Sequence, residues 1–192
     1  MGERWLLDIT EERTGREVRL WLKGTDGTVT SRTVAYRPPF FVDGARDALE
    51  GLAGTLADDP RVERTELRRM RATLFEHRPR PLLAVVPTHN AERKRLAGSI
   101  DALGGYVRFM LYDVDLTPPQ LYHLEHGLYP FAPVVIGPTS VTATEPAETL
   151  EYVAPPLRSV PFAVELSEGR RDGIVRADDT IRRLRLGPVL LE

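Results

Sequence analysis

Pro155-Pro156-Leu157-Arg158-Ser159-Val160-Pro161-Phe162-Ala163-Val164-Glu165 is the stretch that organises this chain. Its paired prolines fix φ and donate no backbone hydrogen bonds, so they read as a stiff joint. Beyond them Val160, Phe162 and Val164 alternate with Pro161, Ala163 and Glu165, the period of a strand with one apolar and one polar face. The joint divides the chain into residues 1–153 and a short remainder, residues 154–192. The remainder carries this strand, a polar loop from Ser167 to Asp179 and a second strand from Thr180 to Leu186. They read as the first hairpin of a larger sheet that does not follow.

Working back toward the N-terminus, the first part opens as an antiparallel meander. Trp5 to Thr10 reads as a strand, and Glu17 to Lys23 as a second, with Val18, Leu20 and Leu22 on one side. Asp26-Gly27 supplies the positive φ values of a tight turn. Thr28 to Tyr36 follows as a strand, Arg37-Pro38-Pro39 breaks the ladder, and Phe40 to Val42 is a short apolar strand. Ala45, Leu49, Leu52 and Leu56 predict a helix over 44–56, with Asp43 as its cap. Val62 to Phe75 fits strand or helix, and Leu82 to Val86 is a buried strand. Leu96, Ile100 and Leu103 predict a helix over 90–103, stopped by Gly104-Gly105. Tyr106 to Val114 reads as a strand that carries Asp113 and Asp115 on one side. Pro118-Pro119 opens another helix, which ends at Gly127. Tyr129 to Ile136 is extended, Thr139 to Glu148 reads as an exposed connection, and Leu150 to Val153 as a strand. The pattern is α+β, a mainly antiparallel sheet with a few helices.

Composition excludes several classes. There are 192 residues and no cysteine, which removes disulfides, zinc-thiolate sites and thiol catalysis. Net charge is −2, so no global field draws in nucleic acid. No window approaches 18 consecutive apolar residues and no signal pattern opens the chain, so the expectation is a soluble cytoplasmic protein with no membrane partner. No Gly-rich phosphate loop, nucleophile elbow or Ser/His/Asp order is present. His123 and His126 lie three apart without a third ligand nearby, and read as exposed helix histidines.

A second block gives the first its meaning: Tyr112-Asp113-Val114-Asp115-Leu116-Thr117-Pro118-Pro119-Gln120-Leu121-Tyr122-His123-Leu124-Glu125. It resembles the run of aromatic, acid, small residue, Asp, Pro-Pro, Arg-Tyr-Leu and acid in family B DNA polymerases of the archaeal and bacterial polymerase II types, with Leu121 where Arg is usual. The stretch from Pro155 to Glu165 is similar to the entry of that family's proofreading exonuclease, where Pro-Pro-Leu-Arg/Lys precedes Phe/Ile-Asp-Ile-Glu. Ala163 stands at the Asp position and Glu165 keeps the Glu. The meander adds Glu17-Val18-Arg19-Leu20-Trp21-Leu22, Asp26-Gly27 and Arg37-Pro38, in the family's order.

The resemblance implies an N-terminal polymerase domain, OB-like or RRM-like, over 1–153, and an incomplete, truncated RNase H-like hairpin of the exonuclease over 154–192. It implies a non-catalytic fragment that contacts single-stranded or template DNA and packs against the remaining polymerase domains or subunit. Two-metal nucleases need carboxylates around two divalent cations. With alanine at 163, Glu165 is only a remnant of that metal site, so no catalytic residue, metal or cofactor is expected here, and Mg²⁺ belongs to the full-length family context. An active 3′–5′ exonuclease is the competing class, and Ala163 speaks against it. A third reading is a stand-alone or split-polymerase assembly partner, with a homodimer through the C-terminal hairpin. Archaeal members sense uracil with an early Tyr and a Pro-Tyr pair; the counterparts here, Glu11 and Pro38-Pro39, speak against that role.

Seven arginines lie between Arg61 and Arg80, with Phe75 among them, a composition that can track a phosphate backbone and stack a base. The expected nucleic-acid contacts are Arg64, Arg68, Arg69, Arg71 and Arg78, with Arg93, Lys94 and Arg95 as a second basic cluster.

Overall fold

The computed structural model describes residues 4–73, 75–137, 140–146, 148, 155, 157, 160–166, 181–187 and 189–191. The chain divides into two compact units, Met1–Pro155 and Pro156–Glu192. The architecture is mixed, with antiparallel sheets and few helices, as the sequence pattern predicts.

The first unit holds two sheets. One is built from β1 (Arg4–Glu11), β2 (Glu17–Gly24), β3 (Val29–Ala35), β8 (Pro133–Ile136) and β9 (Val141–Ala143), in the order β3-β2-β1-β8-β9. Leu6, Ile9, Val18, Leu20, Leu22, Val134 and Val141 form its core with Tyr122. Leu6 and Ile9 are both buried although three apart, because the register slips between Leu6 and Asp8. A bulge of this kind inserts one residue and resets which face a strand buries.

The other sheet contains β4 (Phe40–Asp43), β5 (Val62–Met70), β6 (Arg80–Pro87) and β7 (Met110–Tyr112), in the order β5-β6-β4-β7. Helix α1 (Arg46–Ala57) connects β4 to β5, and α2 (Arg93–Asp101) and the single-turn α3 (Gly105–Arg108) connect β6 to β7. This β-α-β-β-α-β run with every neighbouring pair antiparallel is the split β-α-β arrangement. Phe40, Val42, Leu83 and Val85 pack under Leu49, Leu52 and Leu56 of α1 and Leu96 and Ile100 of α2. The hairpin between β5 and β6 rests on this core, and Phe75 in its connection is exposed.

Several local expectations are corrected. Of the two readings left open for Val62 to Phe75, Val62–Met70 is strand, paired along its length with β6. Asp43 does not cap α1; the cap is Ala45, and Asp43 pairs with Arg80 at 2.5 Å. Tyr106 to Val114 is not one strand: Gly104 and Gly105 take φ of 151° and 55°, a helical turn follows, and only Met110–Tyr112 pairs with β4. Asp113, at φ 61°, lies in a bend, so Asp113 and Asp115 do not share a strand face. The connection over 139–148 contains β9, with Val141 buried. The predicted strand at Leu150 to Val153 and the loop from Ser167 to Asp179 lie outside the described residues.

Helix α4 (Pro118–His126) is bounded as its sequence predicts. Thr117 Oγ1 accepts from the Gln120 N–H, Gln120 Oε1 accepts from the Thr117 N–H at 2.8 Å, and Gly127 closes the helix at φ 59°. Side-chain caps of this type contribute about 1 kcal/mol. Thr117→Ala should lower the unfolding free energy by about 1 kcal/mol, read as a lower urea midpoint at unchanged slope, and Thr117→Ser should restore it; an unchanged Ala variant would show that the proline pair alone starts the helix.

Among the described residues the second unit contains a three-stranded sheet, β10 (Phe162–Leu166), β11 (Ile181–Leu186) and β12 (Val189–Leu191), in the order β10-β11-β12. The third strand extends the predicted hairpin.

Candidate nucleic-acid interface

The basic residues of the first unit fall into three environments. Along β5, Arg64, Glu66 and Arg68 lie opposite Val86, Ala84 and Leu82 and so share one face of the sheet. Both cations are partly engaged on the surface: Arg64 with Glu63 at 3.1 Å, and Arg68 with Glu66 at 2.8 Å. Exposed pairs of this kind contribute little to stability, so either guanidinium is free to exchange its carboxylate for a phosphate. Arg69 is exposed and donates to the Pro79 carbonyl at 3.0 Å, bracing the base of the hairpin connection.

The connection itself is the most exposed aromatic and cationic feature among the described residues. Phe75 is 90% exposed. Arg71 and Arg78 flank it, exposed and without a side-chain partner among the described residues. Glu76 holds the loop from inside. Its carboxylate accepts the Ala72 N–H at 3.0 Å and takes Arg80 at 2.9 Å, and Arg80 is fixed in turn by Asp43. The Ala72 hydrogen bond, aided by Arg80, holds the Glu76 carboxyl below the usual carboxylate range. A carboxyl lowered by folding stabilises above its unfolded pKa and loses that contribution as pH falls through the folded value. The Ala72 amide should therefore lose exchange protection on acidification below the ordinary glutamate range, and Glu76→Gln should remove the pH dependence; protection that stays flat with pH in the native chain would exclude this staple.

The second cluster splits. Arg93 is buried, with 3% of its surface exposed. Its guanidinium donates to the Pro38 carbonyl at 2.6 Å, the Pro39 carbonyl at 3.2 Å and the Asp113 carbonyl. Burial lowers its pKa from the ordinary arginine value. Arg93 thus joins the chain before β4 to the chain after β7, and its guanidinium is not presented to a phosphate outside. Lys94 is exposed and unpaired among the described residues, and Arg95 is exposed and engaged with Glu92 at 2.9 Å. Between the start of α2 and the approach to α4 lies an open cavity of about 240 Å³, lined in part by Glu11, Asn90, Lys94, Thr117 and Pro118. Pro38 and Pro39 point their carbonyls at Arg93.

The histidines are accounted for by neighbours. His126 stacks on Tyr122 with ring centres 4.0 Å apart, and its Nδ1 lies 3.1 Å from the Tyr122 carbonyl. His123 Nδ1 lies 3.2 Å from the Leu128 carbonyl. Among the described residues no three His, Cys, Asp or Glu side chains converge to hold a metal.

In the second unit Ala163 pairs with Arg185 and Glu165 with Arg183, so these four side chains share one face. Glu165 lies 3.6 Å from Arg183. A hard divalent cation needs several oxygen ligands. Among the described residues this face carries one carboxylate and two guanidiniums, and those four residues do not by themselves supply the oxygen ligands of a two-metal centre. The basic side of this strand pair was visible in the alternation Arg183-Leu184-Arg185, but its alignment with Ala163 and Glu165 is a matter of register. The burial of Arg93 had one signal in the sequence: it stands three before Leu96 and seven before Ile100, on the apolar face of the helix, although its neighbours Glu92 and Lys94 make the run read as polar.

Comparisons with known proteins bear on this geometry at a distance. No family model matches the sequence, and no curated protein matches it. Among solved structures, the chain is similar to the family B DNA polymerase of the hyperthermophilic archaeon Pyrobaculum calidifontis, with a TM-score of 0.65 and 25% identity over 95% of this chain. The match spans 25% of that polymerase, so the chain corresponds to a quarter of its length. The likeness supports a distant relation to family B DNA polymerases and a function connected with them. No helix among the described residues is long and apolar enough to cross a membrane.

Proposed function

We propose that this chain is a non-catalytic, single-strand-binding module of a DNA polymerase of family B type, touching template DNA through the hairpin connection between β5 and β6. The observation that carries the reading is Phe75, 90% exposed and flanked by Arg71 and Arg78, which have no side-chain partner among the described residues. An aromatic ring held out in water costs hydration free energy that the fold does not recover. Stacking a base on it recovers that cost, and two cations at its sides meet the phosphates on either side of the base. Arg64 and Arg68 extend positive charge along one face of β5, and Arg69 lies on the other face at the base of the connection. Lys94 and Arg95 form a second, smaller contact on α2.

The test is a fluorescence-anisotropy titration of the full chain with single-stranded oligonucleotide over a series of salt concentrations. Binding should weaken linearly in log–log form, with a slope of roughly 0.7 per phosphate engaged. No binding at low salt by a folded chain would sink the reading.

A second reading, an assembly partner, is favoured by one observation. In β10, Phe162 is 66% and Val164 40% exposed on the face opposite Ala163 and Glu165, and β10 is the outer strand of the described sheet. An apolar edge strand invites pairing with a further chain or subunit. Light scattering separates the two: a concentration-dependent dimer abolished by Phe162→Lys supports assembly through this edge, and a monomer at all concentrations removes the homodimer.

A further inference from the structure

We propose that Arg16, held in place by His89 and seconded by Arg37, anchors a phosphate of the single strand that runs along β5, at the seam between the two sheets of the first unit. The anchor rests on the template-contact reading and gives the bound strand a second end, on residues outside the Arg-rich stretch from Arg61 to Arg80.

The turn from β1 to β2 is pinned against the end of β6. Gly15, at φ 63°, turns its carbonyl to the Asn90 N–H at 2.7 Å, and the Arg16 carbonyl accepts the Tyr36 N–H at 2.9 Å. From this fixed backbone the exposed Arg16 side chain crosses the seam, and its Nε–H donates to His89 Nε2 at 3.1 Å. Arginine has only donors, so the imidazole accepts here, and its Nδ1 lies 3.3 Å from Thr88 Oγ1. Held by Nε, the guanidinium keeps both terminal amino groups for a further partner, and among the described residues no carboxylate meets it. That terminal edge matches two oxygens of one phosphate. Arg16 lines an open cavity of about 320 Å³ with Thr14, Glu17, Ala35 and Arg37. Ala35, opposite Glu17 in the ladder, adds only a methyl group and leaves the space to a ligand. Arg37 also belongs to the β5 path, because Glu63 Oε1 accepts from Arg37 and from Arg64, each at 3.1 Å. Arg37 is thus engaged and contributes charge, while Arg16 contributes the fork. Arg16, Arg37, Arg64 and Arg68 follow one another from the seam onto β5. Arg16, Arg37 and Arg64 against Glu17 and Glu63 leave the seam positive. A guanidinium ordered in advance also lowers the entropy cost of binding.

Fluorescence anisotropy of the full chain over a salt series tests this, with an oligothymidylate of about 16 nucleotides, the upper end of the range for one single-strand-binding fold. Arg16→Gln should weaken binding about tenfold, the effect of one charge-assisted contact, and should reduce the salt slope by about 0.7. Its urea midpoint should stay native, because the side chain is exposed. His89→Leu should weaken binding about twofold to tenfold, the entropy of ordering one long side chain, and His89→Gln, which keeps an acceptor, should restore it. Native affinity and slope in Arg16→Gln would overturn the anchor, and so would a loss of affinity at unchanged slope. Native affinity in His89→Leu would overturn the positioning by His89. If Arg16→Gln weakens binding and Phe75→Ala does not, the anchor stands and stacking at the hairpin connection fails. The reverse pattern overturns the anchor and leaves the template-contact reading intact.

Discussion

Arg93→Ala will cost the fold about 3 kcal/mol or more, the largest effect expected of any single polar substitution in this chain. The guanidinium serves three backbone carbonyls, at Pro38, Pro39 and Asp113, from a position shielded from water. Two of these carbonyls belong to prolines just before β4, where no sheet partner exists to take them. Removing the side chain leaves buried acceptors without donors, and each unsatisfied group costs of order 1–3 kcal/mol. The measurement is a urea titration: the midpoint should fall with the slope unchanged. Arg93→Met, which keeps the apolar stem, should recover only the packing part of the loss. The folded fraction of both variants should bind single-stranded DNA as the native chain does. A variant of native stability with weakened DNA binding would mean that Arg93 leaves the interior and touches the strand.

Phe75→Ala should behave in the opposite way. The ring is almost wholly in water, so its removal leaves stability within about 0.5 kcal/mol of native. Affinity for single-stranded oligonucleotide should fall by about 1–3 kcal/mol, a loss of roughly fivefold to 150-fold, which is the range for one stacked base. The salt slope should not change, because the ring carries no charge. Phe75→Trp should restore or exceed native affinity, and Arg71→Ala should lower both affinity and slope. Equal affinity for native and Phe75→Ala chains would remove stacking from the proposed function and leave only the electrostatic path.

These two residues also mark what sequence reasoning could reach. Phe75 is legible because an aromatic inside an arginine-rich, proline-bounded stretch has few structural uses, and the loop confirms that it is not part of a core. Arg93 is only partly legible. Its spacing from Leu96 and Ile100 puts it on the apolar face of α2 and leaves Lys94 and Arg95 off it, but the backbone carbonyls that meet its guanidinium there come from distant parts of the chain. Val141 is a similar case: a lone apolar residue in a polar stretch, buried because β9 pairs with β8. The break at Gly104-Gly105 was visible as a helix stop, but the short turn after it was not, because two positive-φ glycines permit several continuations.

Periodicity, paired prolines, turn glycines and the capping residues of α4 determined the antiparallel meander, the main helices and the α+β class, because each acts through contacts a few residues apart. The absence of a carboxylate at residue 163 was likewise complete in the sequence, since alanine ligates nothing in any fold. What faces residue 163 was decided only in three dimensions. Strand register places Arg185 opposite Ala163 and Arg183 opposite Glu165, and register depends on pairing across a stretch of chain whose local sequence does not encode it. The same holds for the pairing order β5-β6-β4-β7, which joins strands far apart in the chain.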